Sequence, residues 1–259
     1  MSVSETLKEA IDRDDFDSFK LRLCQEPLLD EAGLDTCLVL AMPHCSLQII
    51  KLLLQLGAEL KARSWCAIFR RCDPAVFQLL IESGWDIDST EQERSAVHCA
   101  IVHEKLLVWL LEHGANPDTR SRRRVLGSCF QSSTPLADAS GLSDPTSLRM
   151  LLAFGAKMDP DAIFHAIGVM RGSTRSTDTM KVLIEHGADV NYLSTRWGTP
   201  IYYAVRREKK EKVKLLLECG ADPNLRLLRG GLTALELAKQ EGHMDLYELM
   251  AASVRGDGA

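Results

Sequence analysis

A short phrase recurs along this chain: a run of aliphatic residues, one or two further residues, then Gly, usually followed by Ala. It reads Leu52-Leu53-Leu54-Gln55-Leu56-Gly57-Ala58, Leu79-Leu80-Ile81-Glu82-Ser83-Gly84 and Leu110-Leu111-Glu112-His113-Gly114-Ala115. Later copies are Leu151-Leu152-Ala153-Phe154-Gly155-Ala156, Val182-Leu183-Ile184-Glu185-His186-Gly187-Ala188 and Leu215-Leu216-Leu217-Glu218-Cys219-Gly220-Ala221. The glycines at 57, 84, 114, 155, 187 and 220 are separated by 27, 30, 41, 32 and 33 residues. A period near 33 means one structural unit used many times, each copy too small to bury its own apolar face.

The phrase is a helix end. Gly tolerates the left-handed backbone that stops a helix and satisfies its last carbonyls. Upstream of most of these glycines stands a small residue: Ala41, Ala100, Ala139, Ala166 or Ala204. A neighbouring helix can approach closely there. Before it comes a start signal, clearest in Thr134-Pro135-Leu136 and Thr199-Pro200-Ile201, weaker in Ser95-Ala96-Val97 and Thr233-Ala234-Leu235. Thr caps the first turn, and Pro suits the first helical position. Each unit therefore reads as helix, tight turn, helix, Gly stop, extended connection. Stacked units bury a shared core worth roughly 1.5–3 kcal/mol for each fully buried Leu or Val.

The phrases Thr199-Pro200-Ile201-Tyr202-Tyr203-Ala204, Gly187-Ala188-Asp189-Val190-Asn191 and Gly220-Ala221-Asp222-Pro223-Asn224 resemble ankyrin repeats. The resemblance covers about residues 34–250. It implies an all-α solenoid of helix-turn-helix units with short extended connections, forming a single domain over residues 1–259. The expected divisions are an N-terminal cap at 4–33, repeats at about 34–63, 64–90, 91–120, 134–159, 160–191 and 195–224, and a C-terminal cap repeat at 231–251. Residues 252–259 are expected to be disordered. The cap is acidic: residues 1–35 hold ten acids and four bases, which suits either a solvated end unit or an acidic docking surface.

Three irregularities stand out. Repeats two and five lack the extended connection, the finger, that precedes the first helix: Cys66-Ala67-Ile68-Phe69 resembles Asp161-Ala162-Ile163-Phe164. Trp65 and Phe69 are then expected to pack between helices. Repeat five carries its surplus between its helices, at Arg171 to Thr177. The third irregularity is an insertion between Thr119 and Ser133 bearing Arg120, Arg122, Arg123 and Arg124. It reads as a solvated loop, a contact for an acidic partner, or a nuclear-import or phosphorylation motif.

Composition excludes several functions. A net charge of −5 over 259 residues argues against a nucleic-acid coat. The eight cysteines form no Cys-x-x-Cys pair and share no metal-ligand spacing with His, so no metal and no cofactor is expected. No run of 18 apolar residues exists, and the first residues lack the pattern of a secretory leader. The expectation is a chain of the cytoplasm, or of the nucleus, and a monomer. No phosphate-binding Gly loop, His-Glu-x-x-His or nucleophile elbow is present.

The favoured function is a scaffold or adaptor that docks another protein, one with an acidic surface or peptide, on the concave face of the stack. The contact candidates lie at inner-helix ends, fingers and the insertion. They are Arg70, Arg71, Arg94 and His103 in repeats two and three, and Arg122, Arg123 and Arg124 in the insertion. Repeat six adds Arg196, Trp197, Arg206 and Arg207. The run from Arg206 to Lys214 holds six bases and two acids and reads as a solvated face. The resemblance assigns His98 to the family's structural His. The alternative function is an unconventional enzyme or small-molecule binder with a concave pocket, where His103, His165, Tyr202 and Tyr203 would be the acid–base candidates. A ubiquitin-ligase subunit is a third reading, without a recognisable recruitment box after residue 250.

Overall fold

The computed structural model describes residues 3–25, 29–122, 132–168, 177–227 and 230–256. These residues are helical, with a single isolated bridge between Ser194 and Gly198. The helices come in pairs and fall into two compact units, one of residues 1–116 and 120–132, the other of residues 117–119 and 133–259.

In the first unit, α1 (Glu5–Asp12) pairs with α2 (Phe16–Gln25), and α3 (Glu31–Ala41) with α4 (Leu47–Gln55). Then come α5 (Ala62–Arg71), α6 (Pro74–Glu82), α7 (Ala96–Ala100) and α8 (Glu104–Glu112). The helices α2, α4, α6 and α8 form one row, each against the next, while α1, α3 and α5 form the row beside it. In the second unit the inner row is α9 (Pro135–Ser140), α11 (Ala162–Ile167), α13 (Pro200–Arg206) and α15 (Ala234–Gln240). Behind it stand α10 (Thr146–Ala153), α12 (Asp178–Glu185), α14 (Lys210–Glu218) and α16 (Met244–Arg255). The core is the aliphatic phrase itself: Ile49, Leu53, Leu107, Leu110, Leu151, Leu183, Val213 and Leu216 are fully buried. So are Ala41, Ala100, Ala139 and Ala204, which let the inner helices meet.

Local chemistry sets the ends. Thr134, Thr199 and Thr233 cap α9, α13 and α15 through side-chain oxygens that accept from Ala137, Tyr202 and Glu236. All six phrase glycines have φ between 82° and 94°, the left-handed region. The Asp or Asn four residues after Gly84, Gly114 and Gly187 ties one repeat to the next. The Asp88 carboxylate accepts from the Asn116 amide, Asp118 from Lys157 and the Asn191 side chain from Asp222, at 2.8–2.9 Å. Asn191 also donates to the carbonyl of Gly220.

The structure departs from the sequence reading in three places. Helix α3 starts at Glu31, within the span read as the N-terminal cap at 4–33 rather than in the repeat at 34–63, because Asp30 caps it by accepting from Gly33. Helix α16 runs to Arg255 and stops at Gly256, so residues 252–255 are ordered helix rather than the start of a disordered tail. Lys212, within the basic run taken as solvated, is only 2% exposed. Its ammonium donates to the carbonyls of Ala166 and Ile167. The cause lies in α11, which ends after six residues at Gly168 and leaves carbonyls without intrahelical donors. Arg207 supplies a further donor, to the carbonyl of Gly168, at 2.9 Å.

Candidate functional site

The short connections create the two sites of interest. In the second unit, only six residues separate Gly155 from α11, whereas twelve separate Gly187 from α13. Trp197, from the full finger before α13, reaches across to α11. Its ring lies 5.0 Å from Phe164, 6.2 Å from His165 and 6.3 Å from Tyr203. Tyr203 stands edge-on to Phe164 at 5.7 Å. The guanidinium of Arg196 sits 4.9 Å from the Trp197 ring, and that of Arg207 6.0 Å from Tyr203. Arg196 and Arg207 are exposed, Trp197 is half-buried and Tyr203 is buried. The result is an aromatic base with two cations at its edge.

His165 lies within this cluster, 6% exposed, and its Nδ1 meets no hydrogen-bond partner among the described residues. Burial holds the imidazole below its ordinary value of 6.5, against the pull of Asp138, Asp159 and Asp161, and Arg196 adds to the lowering. Asp159 accepts from Thr134 at 2.8 Å, so it is committed to the cap of α9. Such an imidazole is neutral at pH 7 and stands edge-on to the Trp197 ring. Tyr202 is half-buried beside the cluster, and His103 belongs to the other unit. The four acid–base candidates are therefore not one constellation within a unit. Among the described residues no group of three or more His, Cys, Asp or Glu side chains could hold a metal.

The remaining candidates scatter. Arg71 donates to the Asp73 carboxylate and to the carbonyl of Cys45, which ties it to its own unit. Arg94 is half-buried and donates to the carbonyl of His98. His98 is buried with its ring on Ser95, the cap of its own helix, at 2.8 Å. Arg70, Arg122 and Arg206 are exposed. Arg123, Arg124 and the surplus at Arg171 to Ser176 lie outside the described residues. Lys212 was missed, because the carbonyls that hold it are 45 or more residues away in sequence.

The first unit handles its short connection differently. Four residues separate Gly57 from α5, and eleven separate Gly84 from α7. Trp65, Phe69, Phe77 and Trp85 form a chain of rings with centroids 5.0–6.2 Å apart. The next finger, Ser89 to Gln92, carries no aromatic residue, and a cavity of about 650 Å³ remains beside it.

Paired helices, Thr caps, left-handed glycines and an Asx ladder define a class of stacked-repeat proteins. A family model described as ankyrin repeats matches residues 136–227 and 167–257. The chain carries ankyrin repeats, matched at the level of the family over residues 136–257. It is similar to ankyrin repeat protein nuc-2 of Neurospora crassa, 30% identical over 115 residues, 43% of this chain and 11% of that protein. It is also similar to ankyrin repeat and SOCS box protein 16 of Homo sapiens, 28% identical over 67% of this chain and 37% of that protein. The chain thus spans well under half the length of these relatives. Among solved structures, the ankyrin repeat domain of Bcl-3 shares the fold with a TM-score of 0.58 at 18% identity, over 98% of this chain and 87% of that one. Ankyrin repeat domains are generally protein–protein interaction modules. Among the described residues, no helix is long and apolar enough to cross a membrane.

Proposed function

We propose that this chain is a scaffold or adaptor of the cytoplasm or nucleus that docks an acidic segment of a partner protein on the inner-helix face of its second unit. The observation that carries this reading is the arrangement of Arg196 and Arg207 around Trp197 and Tyr203. Aromatic and Arg side chains dominate binding hot spots, because a rigid ring gives contact area at small entropic cost and a guanidinium grips a carboxylate bidentately. Nothing in the cluster supplies a nucleophile and base in reach of each other, so binding rather than turnover is the reading it supports.

The test compares proteins captured from the native cell by the wild type and by Arg196→Glu and Trp197→Ala variants, quantified by mass spectrometry. Specific partners should fall about tenfold or more, and wild-type capture should weaken with salt. Capture that is unchanged in both variants overturns the proposal.

A further inference from the structure

The cavity in the first unit has the opposite electrostatic character. It lies between the end of α4, the end of α6 and the finger before α7, where repeat two lacks its own finger. Trp65 and Trp85 line it, and the carboxylates of Glu59, Asp86 and Glu91 stand around it. Its one cation, Lys61, is already paired with Asp35 outside the wall and lies 3.6 Å from Glu59. The lining therefore carries net negative charge beside indole rings. Trp65 is 5% exposed, and its Nε1–H is buried with no acceptor among the described residues. At the matching place in the second unit, Trp197 lies across Phe164; here no finger aromatic does so.

We propose that this cavity receives the side chain of a Lys or Arg presented by an extended segment of a partner protein. The volume of about 650 Å³ lies within the range of binding clefts and exceeds what one water cluster needs. An ammonium or guanidinium gains from an indole ring and from carboxylates at once, and the aliphatic stem of the same side chain suits the apolar wall. An anionic or purely apolar occupant would leave the net negative charge of the lining, carried by Asp86 and Glu91 beyond the Glu59–Lys61 pair, without a countercharge. This site is separate from the inner-helix face of the second unit and takes a partner group of the other sign.

The sequence holds four tryptophans, so the full chain labelled with ¹⁵N at the indoles gives four resolvable signals, assigned with Trp65→Phe and Trp85→Phe. The probes are the blocked pentapeptides Ac-Gly-Gly-X-Gly-Gly-NH₂ with X as Lys, Arg, norleucine or Glu. The Lys and Arg peptides should shift the Trp85 or Trp65 signal saturably below about 10 mM, an affinity suited to one anchoring residue. The norleucine and Glu peptides should not. The double variant Glu59→Gln, Glu91→Gln, checked for wild-type helicity by circular dichroism, should lose the shift at least about fivefold. A third variant, Asp86→Asn, replaces it should the double variant not fold. No shift with Lys or Arg, an equal shift with norleucine, or a shift that survives neutralising the carboxylates each overturns the proposal.

Discussion

Two side chains in the second unit carry consequences that can be read by titration. Burial brings Lys212 down to about 8 from 10.5. The folded chain therefore binds fewer protons there than the unfolded chain between pH 8 and 10.5, so stability rises with pH across that window. The increment is at most about 3.4 kcal/mol, from 1.36 kcal/mol per unit. Urea titrations at pH 8 and 10 should show it for the wild type and show a smaller rise for Lys212→Met. His165 works at the acid end. Its folded value is depressed, so the unfolded chain takes the proton first and stability falls as pH drops through about 6.5. The His165→Gln variant should lose less stability between pH 7 and pH 5 than the wild type, measured by thermal unfolding at each pH.

At the scale of the helix pair, the repeats are held by chemistry that differs from copy to copy. A Cβ added at Gly187 would meet nothing within 4 Å, although φ is 89°. Gly187→Ala should cost only backbone strain, about 1–2 kcal/mol. At Gly198, φ is 79° and the added carbon would lie 2.5 Å from Leu227. Gly198→Ala should cost more than Gly187→Ala, because the end of the Leu227 side chain must also move. Chemical denaturation of both variants gives the comparison. Asn191→Ala removes the acceptor for Asp222 and the donor to Gly220, and should lower stability by about 1–2 kcal/mol. These elements were legible in the sequence because their signals are local: a Thr before a Pro, a Gly after an aliphatic run, an Asn two residues after an Asp. The start of α3 was not, since Asp30 is a cap with no Pro behind it. Nor was Lys212, whose partners lie in a different repeat. The aromatic–Arg cluster is half legible: Arg196, Trp197, Tyr203 and Arg207 carry signals of their own, while Phe164, the ring that Trp197 and Tyr203 both meet, reads only as core.

For the whole molecule, the division into two compact units matters more than the continuous repeat. Each has its own buried rows, and the second contains its own ladder contact between Asp118 and Lys157. A polypeptide of residues 117–259 should therefore fold alone, with a helical spectrum and a cooperative urea transition. A broad, non-cooperative transition would show that it needs the first unit. The proposed sites fall one to each unit and select opposite charges, so Arg196→Glu and Glu59→Gln should each affect binding at its own unit alone.

The ammonium that reaches back to the end of α11 has one more use. Sealed from solvent, Lys212 should resist acylating reagents and enzymatic tagging while the neighbouring Lys209, Lys210 and Lys214 react. The slow appearance of its adduct would then serve as a clock for the momentary opening of α14 from α11, readable by peptide mass.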